Sequence, residues 1–150
     1  MNLLTTIRKA NVDDLEYLLD LVKELARFEN APEAVTANLQ DYRENFEQGV
    51  FEALVATNNV GKIVGTAIFY VCWSTWKGRM LYLEDFVVLE DERGKGIGKI
   101  LFEAVVEEAR HQKCALMKWQ VLDWNIPAIN FYLKNNAIIE KEWWNGKIVF

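Results

Sequence analysis

Arg93-Gly94-Lys95-Gly96-Ile97-Gly98 stands between an aromatic and β-branched run, Met80 to Leu89, and an amphipathic run that reaches His111. The first run reads as a strand. The second reads as a helix, with Ile97, Ile100, Leu101, Ala104, Val105 and Ala109 inward and Lys99, Glu103, Glu107 and Arg110 outward. A glycine-rich turn at such a junction leaves backbone N–H groups bare at the positive end of a helix, where an anion can be held. Glycine lets the backbone approach a pyrophosphate, and Arg93, Lys95 and Lys99 bring positive charge to an otherwise acidic chain. The plainer reading of the same six residues is a tight turn before a helix. Two other phosphate-binding readings fail on spacing: there is no G-x-x-x-x-G-K-[ST], and GKGIGK lacks the third glycine of G-x-G-x-x-G.

Working outward, Ile63 to Trp73 and Phe51 to Ala56 are two more strand candidates, broken by Lys77-Gly78 and by Asn58-Asn59-Val60-Gly61. With Met80 to Leu89 they make three consecutive antiparallel strands, which a nicotinamide-binding unit with parallel strands on both sides of its loop would not have. Upstream lie a short strand, Thr5 to Lys9, and a helix to about Glu29, with Leu15, Leu18, Leu19, Val22, Leu25 and Ala26 at helical spacing. A second helix, capped by Thr36 and ended by Gly49, carries Leu39, Tyr42 and Phe46 on one side. Downstream, Ala115 to Leu122 reads as a strand and Ile126 to Lys134 as a helix with Pro127 in its first turn. Ala137 to Trp144 reads as a strand returning through Asn145-Gly146, a hairpin turn pair. The order is β-α-α-β-β-β-α-β-α-β-β, an α/β (α+β) arrangement with a mixed, mostly antiparallel sheet flanked by helices.

A chain of 150 residues with 51% apolar content suits one domain, 1–150, with no linker or repeat. No apolar stretch reaches the roughly 18 to 20 residues that cross a bilayer, and the N-terminus lacks a basic region followed by an apolar block and a cleavage site. A cytoplasmic protein is expected. A net charge of −5 argues against nucleic acid, whose phosphates need a dense basic face, and suits a cationic partner. Cys72 and Cys114 lie in apolar runs without metal-ligand spacing, so buried inert thiols are expected and no metal site. His111, the sole histidine, sits on a helix's polar end and is not a catalytic candidate.

R-G-x-G-x-G after the fourth strand resembles the acetyl-coenzyme A signature of the GNAT acetyltransferases, and the likeness runs across almost the whole chain. Within that superfamily the diamine acetyltransferases are resembled by Glu24-Leu25-Ala26-Arg27-Phe28-Glu29, Ser74-Thr75-Trp76-Lys77-Gly78-Arg79, Leu81-Tyr82-Leu83-Glu84-Asp85-Phe86, and Trp124-Asn125 through Asn130-Phe131-Tyr132. That group comprises the spermidine/spermine N-acetyltransferases and their thialysine N-epsilon-acetyltransferase relatives. The Ser74 to Arg79 segment and Val121-Leu122-Asp123-Trp124-Asn125 are closer to the thialysine branch.

The resemblance implies a GNAT fold and acetyl transfer from acetyl-CoA to a small primary amine, by a homodimer. It implies that Phe86, Val87 and Val88 pair through their backbone with the pantetheine arm, while Arg93, Gly94, Lys95, Gly96, Ile97, Gly98 and Lys99 hold the pyrophosphate. Asn125 and the helix start at Ile126, Pro127 and Ala128 complete the cofactor site. Glu84 would bind the ammonium and accept its proton, and Tyr132, beside the cofactor, would donate to the sulfur of coenzyme A. Asp85, Trp76, Phe28, Glu29 and Trp119 would line the acceptor path by charge, apolar contact and cation–π contact.

Departures bear on the acceptor. Ser74 stands where polyamine-specific relatives carry an acidic residue, Phe28 replaces a tyrosine, and Glu142-Trp143-Trp144-Asn145-Gly146 replaces an acidic-Gly-Trp segment. The plain alternatives are a solvated acidic edge at Glu84-Asp85 and a core aromatic at Tyr132. Competing functions are acetylation of another small amine or a protein lysine, and a non-catalytic acetyl-CoA-binding module.

Overall fold

The computed structural model describes residues 4–150, which fall into two compact units, one ending at Trp119 and one running Gln120–Phe150. In the first unit β1 (Thr6–Lys9) is followed by α1 (Leu15–Phe28), α2 (Leu39–Glu47), β2 (Glu52–Thr57), β3 (Ile63–Ser74), β4 (Gly78–Val88), α3 (Ile97–His111) and β5 (Leu116–Lys118). The strands form one five-stranded sheet in chain order. Neighbours are antiparallel except β4 and β5, which run parallel because α3 carries the chain back between them.

Local chemistry fixes where the helices start. Asn11 and Asp14 cap each other before α1, and Arg8 grips the buried Asp14 with both guanidinium nitrogens, at 2.7 and 2.9 Å. That hydrogen-bonded ion pair holds the Asp14 carboxyl below the ordinary carboxylate range. α2 begins later than expected, because Asn38 rather than Thr36 is its cap. The Asn38 side chain accepts from the Asp41 N–H at 3.0 Å while Asp41 accepts from the Asn38 N–H at 2.8 Å, satisfying two end donors at once.

The sheet is buried on both sides. Leu15 and Leu18 of α1 pack with Ala53, Val55 and Ile68 on one face, joined by Leu39, Tyr42 and Phe46 of α2. Ile97 of α3 packs with Ala56, Val64 and Val88 on the other. Val55 and Ala56 thus serve opposite layers, as the strand's two-residue period requires.

β5 is shorter than the Ala115 to Leu122 expectation. It pairs with Met80 to Tyr82 only, and the two strands part before a bulge in β4 that increases the twist there.

In the second unit α4 (Ile126–Lys134) is capped by Asn125, whose side chain accepts from the Ala128 N–H, and Pro127 occupies the first turn as expected. The two further strands expected after α4 are absent, since residues 137–150 are in neither helix nor strand. Strand backbone needs a partner for its N–H and C=O groups, and a lone hairpin around Asn145-Gly146 is marginal in water. Ile138, Trp143, Trp144, Ile148 and Phe150 stand exposed along this stretch.

Candidate functional site

Along β4 the register with β3 slips by one residue. Asp85 lies opposite Ile68 and Leu83 opposite Phe69, which leaves Glu84 as the extra residue of a β-bulge. Strict alternation would send Glu84 and Asp85 to opposite faces. The bulge cancels that alternation, so Tyr82, Glu84 and Asp85 share the face covered by α1 and α2, where Ile68 is buried.

What gathers around the two carboxylates is aromatic and acidic. Tyr70, on β3 opposite Tyr82, donates its hydroxyl to Glu84 Oε2 at 3.1 Å, and its ring stacks on Tyr82 with centroids 5.4 Å apart. Desolvation, with Glu84 and then Glu29 as neighbouring negative charges, pushes Asp85 up to about 6. Burial, helped by Asp85 and Glu84, raises the Tyr42 hydroxyl to about 12. Glu29, at the end of α1, is also raised by burial. An ammonium entering here would relieve the mutual repulsion of these carboxylates. Tyr42 and Tyr70 were not singled out by the sequence: Tyr42 reads as one of a helix's inward apolar positions and Tyr70 as one aromatic in a strand full of them.

Past Tyr82, the β4 edge from Leu83 to Val88 is flanked by no further strand among the described residues. The edge offers N–H and C=O groups to an extended ligand arm, and it contains Phe86, Val87 and Val88. Val88 leads through a short 3-10 turn, Glu90–Glu92, to the glycine loop. Gly94 and Gly96 have φ of +75° and +84°, the left-handed region that costs other residues strain. A Cβ at either would meet nothing within 4 Å, so the surface above them is open. No side chain caps α3, and its first N–H groups therefore point at whatever occupies that opening. These features fit a pyrophosphate.

The basic side chains are less free than expected. Lys95 pairs with Glu92 at 3.0 Å and Lys99 with Glu103 at 3.8 Å, exposed pairs that a phosphate could displace cheaply. Arg93 turns away from the loop: its Nε donates to the Val88 carbonyl at 3.0 Å and its guanidinium lies 5.5 Å from the Phe28 ring centroid. Phe28 therefore meets the arginine of the glycine loop.

Trp76 is in the β3–β4 turn, roughly 20 Å of strand from Glu84. Trp119 packs edge-on against Phe102 of α3, which in turn meets Phe86. It belongs to the α3 side of the sheet, opposite the carboxylates. In the second unit Asn125, Ile126, Pro127 and Ala128 form the first turn of α4, and Tyr132, buried, meets Phe131 edge to face at 5.5 Å.

The description "Acetyltransferase (GNAT) family" matches residues 15–137. The thialysine N-epsilon-acetyltransferase of Mus musculus is 34% identical over 93% of this chain and 89% of its own length. The spermidine/spermine N(1)-acetyltransferase-like protein 1 of Homo sapiens is 35% identical over 88% of this chain, though over only 20% of its own length. Among solved structures, an aminoglycoside acetyltransferase from a soil metagenomic sample superposes with a TM-score of 0.82 at 19% identity, covering 98% of this chain and 97% of that one. That last likeness shows the fold alone. The family match and the relatives' identity over most of the chain agree with the open strand edge and the glycine turn at the start of α3: the chain belongs to the GNAT acetyltransferase family and is an acetyl-CoA-dependent N-acetyltransferase.

Proposed function

We propose that this enzyme acetylates the primary amine of a small thialysine-, lysine- or diamine-like acceptor by direct transfer. The observation that carries the reading is the bulge that turns Glu84 and Asp85 to one face immediately before the open edge Phe86 to Val88. A cation-binding pair and a cofactor-pairing segment thus follow each other on a single strand. The names of the relatives support the acceptor class.

Acetyl-CoA, when bound, supplies the acetyl group as a thioester. Phe86, Val87 and Val88 would orient its arm and the backbone from Gly94 to Lys99 would take its pyrophosphate; in the second unit Asn125, Ile126, Pro127 and Ala128 are further candidates for holding the cofactor. An alkylamine has a pKa near 10.4 and is almost wholly charged at neutral pH, so it must lose a proton before its nitrogen can attack. Glu84 accepts that proton, directly or through water, while Asp85 and Glu29 hold positive charge nearby. As the C–N bond forms and the C–S bond breaks, the attacking nitrogen gives up its second proton to solvent, and Tyr132 would donate its own to the sulfur, which leaves as the thiol of coenzyme A. The reading treats 1–150 as one domain, in the cytoplasm, and uses no metal.

An acceptor panel of thialysine, lysine, putrescine, spermidine and spermine, read by thiol release, tests this. With Ser74 in place of an acidic anchor and Phe28 in place of a tyrosine, the short amines are expected to have the higher kcat/KM. A panel led by spermine would overturn the short-acceptor reading.

The same reading makes the protein a homodimer. Its support is the exposed row Ile138, Trp143, Trp144, Ile148 and Phe150 in a stretch whose sequence favours a strand. Light scattering at micromolar concentration is expected to give about twice the chain mass of 17.4 kDa. A species of that single mass would refute the dimer.

A further inference from the structure

Glu84 is an exposed carboxylate on a bulge, where neither the ladder nor close packing fixes its direction. A proton acceptor that swings freely must be brought into line with each acceptor nitrogen, at a cost in rate. One contact removes that freedom. The Tyr70 hydroxyl donates to Glu84 Oε2 at 3.1 Å, which leaves the other carboxylate oxygen to face an incoming amine. Tyr70 itself is held from the side, stacked on Tyr82 across the β3–β4 ladder at an interplanar angle of 24°. Burial and the adjoining Glu84 charge raise the Tyr70 hydroxyl, which therefore stays a donor throughout the working pH range.

We propose that Tyr70 is a positioning residue that holds Glu84 in the orientation in which it takes the acceptor's proton. The inference rests on the role given to Glu84 above and adds to it a group that acts through that carboxylate. Tyr70 works through the carboxylate, and the stacked pair turns two strand residues into a rigid mount for it. Tyr82 shares the stack, and its hydroxyl makes no hydrogen bond to Glu84 among the described contacts, so comparing Tyr82→Phe with Tyr70→Phe separates the stack from the hydrogen bond.

The test is a double-mutant cycle: kcat, acceptor KM and melting temperature for the native enzyme, Tyr70→Phe, Glu84→Gln and the double variant, at saturating acetyl-CoA. Tyr70→Phe keeps the ring and removes only the hydroxyl. It is expected to lower kcat roughly 10- to 100-fold, the size of a lost hydrogen bond to a charged group. Its KM for acetyl-CoA should be unchanged, and Tyr82→Phe, which keeps the stacked ring, should lose less kcat than Tyr70→Phe. Because the hydroxyl acts through the carboxylate, the double variant is expected to be no more than about twofold slower than Glu84→Gln alone. A native kcat in Tyr70→Phe beside a crippled Glu84→Gln overturns this proposal and leaves the role of Glu84 standing. Multiplying effects in the double variant overturn it as well, since Tyr70 would then act independently. A fully active Glu84→Gln removes both readings together.

Discussion

Tyr132→Phe is expected to lower kcat roughly 100- to 10,000-fold, the range that general acid catalysis contributes, while acceptor KM and affinity for coenzyme A stay close to native. The tyrosine is buried in the last turns of α4, its backbone carbonyl accepts from the Asn135 and Ala137 N–H groups at 3.0 Å, and its ring meets Phe131. None of these contacts uses the hydroxyl, so the phenylalanine variant keeps them. A tyrosine serving only the core would behave otherwise: losing its hydroxyl would cost on the order of 1 kcal/mol of stability and leave the folded fraction fully active. Single-turnover rate and melting temperature measured on one preparation separate the two. An unchanged chemical step would remove Tyr132 from the mechanism and leave solvent to protonate the sulfur.

Asp85→Asn is expected to make the protein more stable and a poorer enzyme. Folding at neutral pH takes an ionised Asp85 out of water and sets it near Glu84 and Glu29, which is why its carboxyl rises to about 6. The sign follows from linkage. A carboxyl whose folded pKa lies above its unfolded value near 3.9 is most favourable to folding below that value, and the contribution is lost as pH rises through about 6. At pH 7 to 8 the ionised group therefore opposes folding by up to about 2 to 3 kcal/mol. Asparagine removes the charge, and a gain of roughly 5 °C in Tm follows for a chain of this size. The gain should shrink as pH falls from 6 towards 4, where the native carboxyl is protonated as well.

Acceptor binding moves the opposite way. If Asp85 holds the ammonium as proposed, losing its carboxylate should raise acceptor KM about tenfold or more in Asp85→Asn, and native KM should rise as pH drops below 6. An Asp85→Asn enzyme with native KM and lowered Tm would mean that Asp85 is a structural residue unrelated to the acceptor. Stability given up to hold a charge ready for a ligand is a common compromise at functional sites.

Much of this molecule is local and therefore legible in order of residues. The helices of α1, α3 and α4 follow from apolar spacing, and the three antiparallel strands follow from β-branched runs cut by Asn58 to Gly61 and Lys77-Gly78. Gly94 and Gly96 announce a turn that only glycine adopts without strain, placed against a helix start with no side-chain cap. Thr36 and Asn38 are both capping residues by type, asparagine the better, and the backbone path selects Asn38. The two strands expected after α4 failed for a related reason. Their residues favour extended backbone, but a strand exists only where a neighbour completes its hydrogen bonds, and residues 137–150 are paired with no strand among the described residues.

What the sequence determined by itself is local: a glycine turn at a helix start, an acidic pair on the strand before it, and a tyrosine within a short amphipathic helix. All of these depend on neighbours within a few residues. What only the tertiary structure decided is which side chains meet. Period-two alternation sends Glu84 and Asp85 to opposite faces, and one slipped residue against Ile68 and Phe69 brings them to the same one. Tyr70 reaches Glu84 from fourteen residues away because strand pairing sets it beside Tyr82. Arg93 leaves the glycine loop for Val88 and Phe28, and Trp119 goes to the α3 layer with Phe102. Register, bulges and layer assignment arise from pairing between distant segments, and the physical quantity that selects them, burial shared across the whole sheet, belongs to no single stretch of chain.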